Sequence, residues 1–393
     1  MMKEFPRISS VSISGYRPFG EFHADLGALE VIVGANGSGK SSLLEFLQVL
    51  HDGTSTDLPA GLIANGSGRT VYHRGRALRE NRISCDITTS GLAEGALRYS
   101  VHLSGQFGNQ VAGEDVWEQR GGEGAEYRLL HRSEKGMAVN RTGVDDELVW
   151  VGGRMDPEFL GLPRLRFGDP ASLAALQQHL FGWRFYSTYA IDADRLRQPV
   201  ITQQRPFLEE DASNLSDVLL HLSNEHRKTF DELNATMRLL VPGFRELKVR
   251  SYGAPGHVMA FWREEGSDQD LSLADLSDGI FRLLCWVVIC IDPNPPTLIC
   301  VDEPDQGVHP RTLPVLAALF KEASERTQVI LTTHNSYFLS QFALEDIAVM
   351  RKENGEAKFI KPKDSKTLVA ILQEFGDHEI ELLHRSEELE QLP

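Results

Sequence analysis

Cysteine is scarce, at four in 393 residues. Cys285, Cys290 and Cys300 fall inside apolar stretches and Cys85 in an alternating segment, a pattern of reduced core thiols and not of a disulfide framework. No apolar run reaches membrane-spanning length. The longest, Phe281 to Ile291, is interrupted by Arg282 and stops at Asp292-Pro293, well short of the roughly 20 residues a bilayer requires. The first six residues lack the apolar stretch of a signal peptide, so a cytoplasmic chain with no membrane partner is expected. Positive charge is also in deficit, with 40 Lys and Arg against 56 Asp and Glu and a formal net charge of −16. That balance opposes broad attraction to nucleic acid, whose binding is driven by cations that neutralise phosphates. Any contact with DNA should be weak or local, at Arg74/Arg76/Arg79/Arg82, Arg164/Arg166 or Arg195/Arg197/Arg205, clusters of a size that more often forms a solvated face. Heptads sustained over several turns are missing, which excludes long coiled-coil arms. Repeats at a fixed period are missing too.

What remains is an ordinary globular composition, 41% hydrophobic and 24% charged, long enough for one large core or two moderate ones. Ile8 to Ile13 alternates and Leu29 to Val33 is continuously apolar, followed by a glycine turn and a helical pattern from Lys40 to Leu50. That order predicts the strand, loop and helix that begin a nucleotide-binding α/β domain. Short alternating segments at 83–88, 98–103, 127–132 and 148–151 predict an antiparallel layer. A strand at 183–189, helices at 215–222 and 229–240 and strands at 246–250 and 258–262 predict a compact insertion. The last third alternates helix 279–291, strand 297–301, helix 311–325, strand 328–331, helix 336–341 and strand 347–350, which calls for a parallel sheet covered by helices.

Gly34-Ala35-Asn36-Gly37-Ser38-Gly39-Lys40-Ser41 fits the phosphate-binding pattern GxxxxGK[ST] between an apolar strand and a helix start. Its glycines let backbone N–H groups, including those of Asn36, Gly37, Ser38 and Gly39, converge on phosphates, and the helix N-terminus, with Ser41 and Ser42, adds its dipole. Lys40 is positioned for the β- and γ-phosphates and the Ser41 hydroxyl for Mg²⁺. Asp302 and Glu303 follow the apolar strand 297–301, where an acid can hold Mg²⁺ and a second can polarise an attacking water. ATP and Mg²⁺ are therefore the expected ligands.

Leu276-Ser277-Asp278-Gly279-Ile280, at the start of an apolar helix, resembles the LSGGQ signature of ABC ATPases, with Asp278 for the first glycine and Ile280 for the glutamine. Thr332-Thr333-His334-Asn335 resembles their switch-histidine segment. Asp305 to Pro310 occupies the place of their D-loop. With Glu210 to Leu215 and Leu239 to Phe244, these segments make the chain similar to the stand-alone SMC/RecF/OLD-like ATPases of bacterial anti-phage or DNA-associated modules. The resemblance implies an ABC-type P-loop fold with a mixed core sheet, an added antiparallel layer and a compact insertion in place of coiled coils. It implies catalytic roles for Glu303 and His334, metal binding by Ser41 and Asp302, and contact of Ser277 and Gly279 with the γ-phosphate held by a second copy. A head-to-tail homodimer follows. The glutamine loop should follow the strand at 183–189, but Ala190 to Asp194 holds no glutamine, so either Gln198 serves or the role is absent. Arg17 either reaches the nucleotide or is a turn arginine.

The expected divisions are residues 1–80 with the phosphate loop, 81–190 rich in antiparallel strand, 191–265 as insertion, 266–355 with signature, acidic pair and switch histidine, and 356–393 as a tail. OLD-type chains carry a Toprim nuclease beyond the ATPase. The segment after His334 is too short for one and the Asp192/Asp194 pair is misplaced, so no nuclease is expected in cis and a separate effector partner is implied. The leading reading is an ATPase subunit controlling that effector. A RecF-like repair ATPase acting directly on DNA would need a strong basic face. A transporter subunit is disfavoured because over two hundred residues separate Lys40 from Ser277.

Overall fold

In a computed structural model of the chain, the described residues are 5–58, 71–73, 82–105, 109–120, 125–141, 147–166, 168–187, 198–204, 206–253, 255–365 and 379–385. They form two compact units, one of residues 1–183 and 343–393, the other of 184–342.

The first unit is dominated by an antiparallel sheet. β1 (Arg7–Tyr16), β2 (Phe19–Asp25), β4 (Ile83–Ser90), β5 (Leu97–Ser104), β6 (Gln110–Arg120), β7 (Ala125–Ser133), β8 (Gly136–Val139) and β9 (Val149–Gly152) lie in the order β2-β1-β4-β5-β6-β7-β8-β9. The alternation is cleanest in β4, where Ile83, Cys85, Ile87 and Thr89 point inward, as a sheet wet on one face requires. β3 (Leu29–Val33) is buried at all five positions. It pairs in parallel with β17 (Ile347–Glu353), which pairs antiparallel with β18 (Glu356–Ile360). A carboxylate in such a strand needs partners. Glu30 has them in the amide of Gly27 and the ammonium of Lys361. Helices α1 (Lys40–Asp52) and α2 (Ala171–Phe181) complete the unit, with the short α8 (Glu379–Arg385) near the chain end.

In the second unit β15 (Leu298–Asp302) and β16 (Gln328–Thr332) pair in parallel, and β10 (Trp183–Ser187) neighbours β15. β11 (Val200–Ile201), β12 (Phe244–Ser251), β13 (His257–Glu264) and β14 (Asp270–Ser272) form a small antiparallel sheet. Packed around these are α3 (Leu215–Glu225), α4 (Arg227–Leu240), α5 (Asp278–Ile291), α6 (Leu313–Ser324) and the single turn α7 (Ser336–Leu339). The architecture is mixed α/β, with a large antiparallel sheet beside parallel pairing, as expected. No described helix is long and apolar enough to cross a membrane.

The structure departs from the sequence reading in several elements. The opening strand joins the antiparallel layer, and only Leu29–Val33 leads into the phosphate loop. The sequence pattern signals none of the strands β2, β6, β8, β11, β14 and β18, nor the helices α2 and α8. In β6 the acidic run Glu114-Asp115 looks like a loop, yet Glu114 is buried. There it accepts from the Tyr99 hydroxyl at 3.0 Å and from the amides of Leu162, at 2.9 Å, and Gly161. The helix expected to reach residue 341 ends at Leu339.

Candidate functional site

The phosphate loop leaves β3 at Gly34, whose φ of +154° and surroundings exclude a side chain, since a Cβ there would stand 2.0 Å from the carbonyl oxygen of Met350. Ala35, Asn36 and Gly37 are exposed, whereas Ser38, Gly39 and Lys40 are buried. Lys40 folds beneath the loop, its Nζ donating to the carbonyls of Gly34 at 2.6 Å and Ala35 at 3.3 Å. The Ser38 hydroxyl is buried with no hydrogen-bond partner. Such an orphan is costly unless a ligand supplies the missing group. Together with the open N-terminus of α1, where Ser41 is exposed and Ser42 half-buried, it makes a cradle that fits a polyphosphate. Arg17, at φ +44°, is paired with Glu45 of α1 and stacked 5.2 Å from the centre of the Tyr16 ring. It is neither an exposed turn residue nor free. From α8, His384 stands near enough to Lys40 for the ammonium to add to the burial that lowers its imidazole pKa. Nothing in the sequence pattern pointed to that histidine.

The other elements lie in the second unit. In the parallel pair of β15 and β16, Asp302 stands opposite Thr332, whose hydroxyl donates to the Asp302 carboxylate. Glu303 then turns into the left-handed region at φ +53°, a conformation that costs a non-glycine residue about 1–2 kcal/mol. Its amide is held 3.1 Å from both the carbonyl and the hydroxyl oxygen of Thr332. Its carboxylate accepts from Gln306 Nε2 at 3.1 Å and lies 3.6 Å from His334 Nε2. Asp305 is tied to the same histidine segment by the Thr333 hydroxyl, at 2.8 Å. Burial raises the Asp305 pKa, against the hydrogen bonds from Thr333 and Asn335. The acidic pair, the turn after it and the His334 segment thus form one connected network.

Ser277 is the N-cap of α5, its hydroxyl accepting from Ile280 N at 3.5 Å. Ser277 and Asp278 are exposed and Gly279 is half-buried. α5 grips the turn that follows Glu303: Trp286 Nε1 donates to Pro304 O at 3.0 Å and Arg282 Nη1 to Gln306 O at 2.9 Å. An exposed helix N-terminus, a carboxylate beside an imidazole and a second acid at a strand end can receive a phosphate, accept a proton and hold a divalent cation.

Gln198 is exposed, while Ala190 to Asp194, including the Asp192/Asp194 pair, lies outside the described residues. Of the arginine clusters, Arg164 and Arg166 are exposed, with Arg164 5.0 Å from the ring centre of Phe159. Arg74, Arg76, Arg79, Arg195, Arg197 and Arg205 lie outside the described residues. A groove of about 510 Å³ between α4 and β12 gathers other cations, Arg227, Arg238, Lys248 and Arg250. Sequence reading missed it because the four come from two separate elements.

Residues 155–340 match the family described as "AAA domain, putative AbiEii toxin, Type IV TA system", and residues 7–88 match an AAA ATPase domain. No curated protein matches by sequence. Among solved structures, the Smc head bound to the C-terminal winged-helix domain of ScpA is 14% identical, with 90% of this chain and 96% of that one covered and a TM-score of 0.54. The Smc head domain with an extended coiled coil, bound to the C-terminal domain of ScpA from Pyrococcus furiosus, is 11% identical, with 94% and 100% covered and a TM-score of 0.56. At such identities the likeness is one of fold.

Proposed function

We propose that this chain, which matches AAA ATPase domain models over residues 155–340 and 7–88 and has a fold like that of Smc heads, is an SMC/RecF-like ABC-type ATPase that hydrolyses ATP in a head-to-tail dimer of two copies and uses that cycle to control a separate effector. The observation that carries the chemistry is the strained Glu303, whose carboxylate is fixed between Gln306 and His334. The triphosphate sits on the loop 34–42, with Lys40 turned from its carbonyls to the β- and γ-phosphates. Ser277 and Gly279 of the second copy offer the N-terminus of α5 to the γ-phosphate. Water attacks phosphorus, the bond to the ADP oxygen breaks, and Glu303 accepts the proton while His334 contacts the departing phosphate. Ser41 and Asp302 would hold Mg²⁺, which neutralises phosphate charge when bound. The role is one in cytoplasmic anti-phage defence or DNA maintenance, and the match to a family described as an AAA domain, putative AbiEii toxin, of a Type IV TA system supports a partnered module.

The test pairs binding with turnover. Glu303→Gln should bind ATP almost as the parent does and hydrolyse it at least about a hundredfold more slowly. Lys40→Ala should lose binding itself. Mixing Lys40→Ala with Ser277→Arg should recover part of the activity, since one site of the mixed dimer is complete. Hydrolysis by Glu303→Gln at the parent rate would overturn the proposal.

A further inference from the structure

Beside the N-terminus of α5 lies an open cavity of about 830 Å³. One wall is the signature segment from Ser277 to Ile280; another is the elbow where α4 ends, Leu239-Leu240-Val241-Pro242; the exposed Arg311 also lines it. A phosphate can use only the Ser277 hydroxyl, the helix N-terminus and a cation. It leaves the apolar elbow unexplained. Leu239 is 71% exposed, on a helix whose other large apolar residues, Phe230, Leu233, Met237 and Leu240, are buried. Exposed apolar surface joined to a binding site marks a contact surface more often than an isolated leucine does.

We propose that the elbow Leu239–Pro242 is part of the surface that receives the second copy, with Leu239 packing on that copy beside the phosphate it delivers. The proposal rests on the head-to-tail reading. Two features select this occupant. The elbow and Ser277 line a single cavity, so a protomer that presents its γ-phosphate to Ser277 must also fill or cover the elbow. The exposed cation Arg311, which lines the same cavity, suits a partner that brings a triphosphate into it. The segment expected as a compact insertion, residues 191–265, thereby becomes an element of dimer specificity.

The experiment uses the full chain carrying Glu303→Gln, with ATP and Mg²⁺, and reads mass by light scattering. Leu239→Glu should weaken ATP-dependent dimerisation at least about tenfold, the effect of losing one well-packed interface anchor. Its ATP binding as a monomer should be unchanged. Ser277→Arg in the same background should abolish the dimer. A second measurement does not depend on tolerance of the charge. The four native cysteines are buried, so Leu239→Cys introduces an accessible thiol. Maleimide labelling of it should slow at least about tenfold when ATP is added, and should not slow when Ser277→Arg is also present. Loss of the dimer with Ser277→Arg but full dimerisation and unprotected labelling at position 239 would overturn the elbow and leave the head-to-tail reading standing. A dimer that survives Ser277→Arg would overturn both. Protection by ATP while the mass stays monomeric would assign the cavity to the nucleotide itself and also overturn the proposal.

Discussion

Gly279 and Gly307 approach so closely that a Cβ on Gly279 would stand 2.6 Å from the Gly307 carbonyl oxygen. The glycine of the signature segment therefore has a packing reason to be glycine, besides the open N-terminus it offers. Since the obstacle is backbone, it cannot swing aside. Gly279→Ala should displace the turn that carries Asp305 and Gln306, costing about 1–3 kcal/mol of stability and lowering ATPase turnover more than ATP affinity. Urea unfolding and steady-state kinetics check this; unaltered turnover would show that the turn adapts.

Glu303 keeps backbone strain at the position we propose as the proton acceptor. Asparagine occupies the left-handed region more easily than glutamate does. Glu303→Asn should thus leave the chain as stable or up to about 1 kcal/mol more stable, while hydrolysis falls at least about a hundredfold. Denaturant midpoints and phosphate release measure the two. A marked fall in stability would mean that the Gln306 and His334 contacts outweigh the backbone strain.

Glu30, in the strand that feeds the phosphate loop, has a pKa raised to about 7, with burial as the main cause and Lys361 opposing it. A carboxyl whose pKa rises on folding favours the fold while protonated. Its contribution is full below its unfolded pKa near 4.5 and is lost as pH rises through about 7. The stability difference between the parent and Glu30→Gln should therefore shift against the parent across that window. Urea midpoints at several pH values measure it. A difference flat with pH would show that Lys361 keeps the carboxylate ionised.

Purified alone, the protein should not cut plasmid, linear or single-stranded DNA with Mg²⁺ or Mn²⁺. Its DNA binding should be weak near physiological salt and fall steeply as salt rises. Residual binding should drop in a double variant, Arg238→Glu with Lys248→Glu, which reverses two charges in the groove between α4 and β12. Metal-dependent cleavage that persists in both Glu303→Gln and Asp302→Ala would reveal a catalytic centre outside the ATPase site and count against a separate effector.

The sequence by itself determined the elements whose signals are contiguous. Leu29–Val33, Leu298–Val301 and Val329–Leu331 are apolar on both faces, so they had to be covered strands. The glycine turn before Lys40 and the acids after Val301 fall at their ends because a phosphate loop and a strand-end carboxylate pair are local constructions. Tertiary structure decided the rest. Whether β6 could hold Glu114 depended on Tyr99 and on the Gly161 and Leu162 amides, none of them close to it in sequence. The left-handed turn of Glu303 depended on Thr332 in the neighbouring strand. The need for glycine at position 279 depended on a carbonyl 28 residues away. Each of these is a satisfaction of polar groups or a steric limit imposed across space, which composition and periodicity along the chain do not encode.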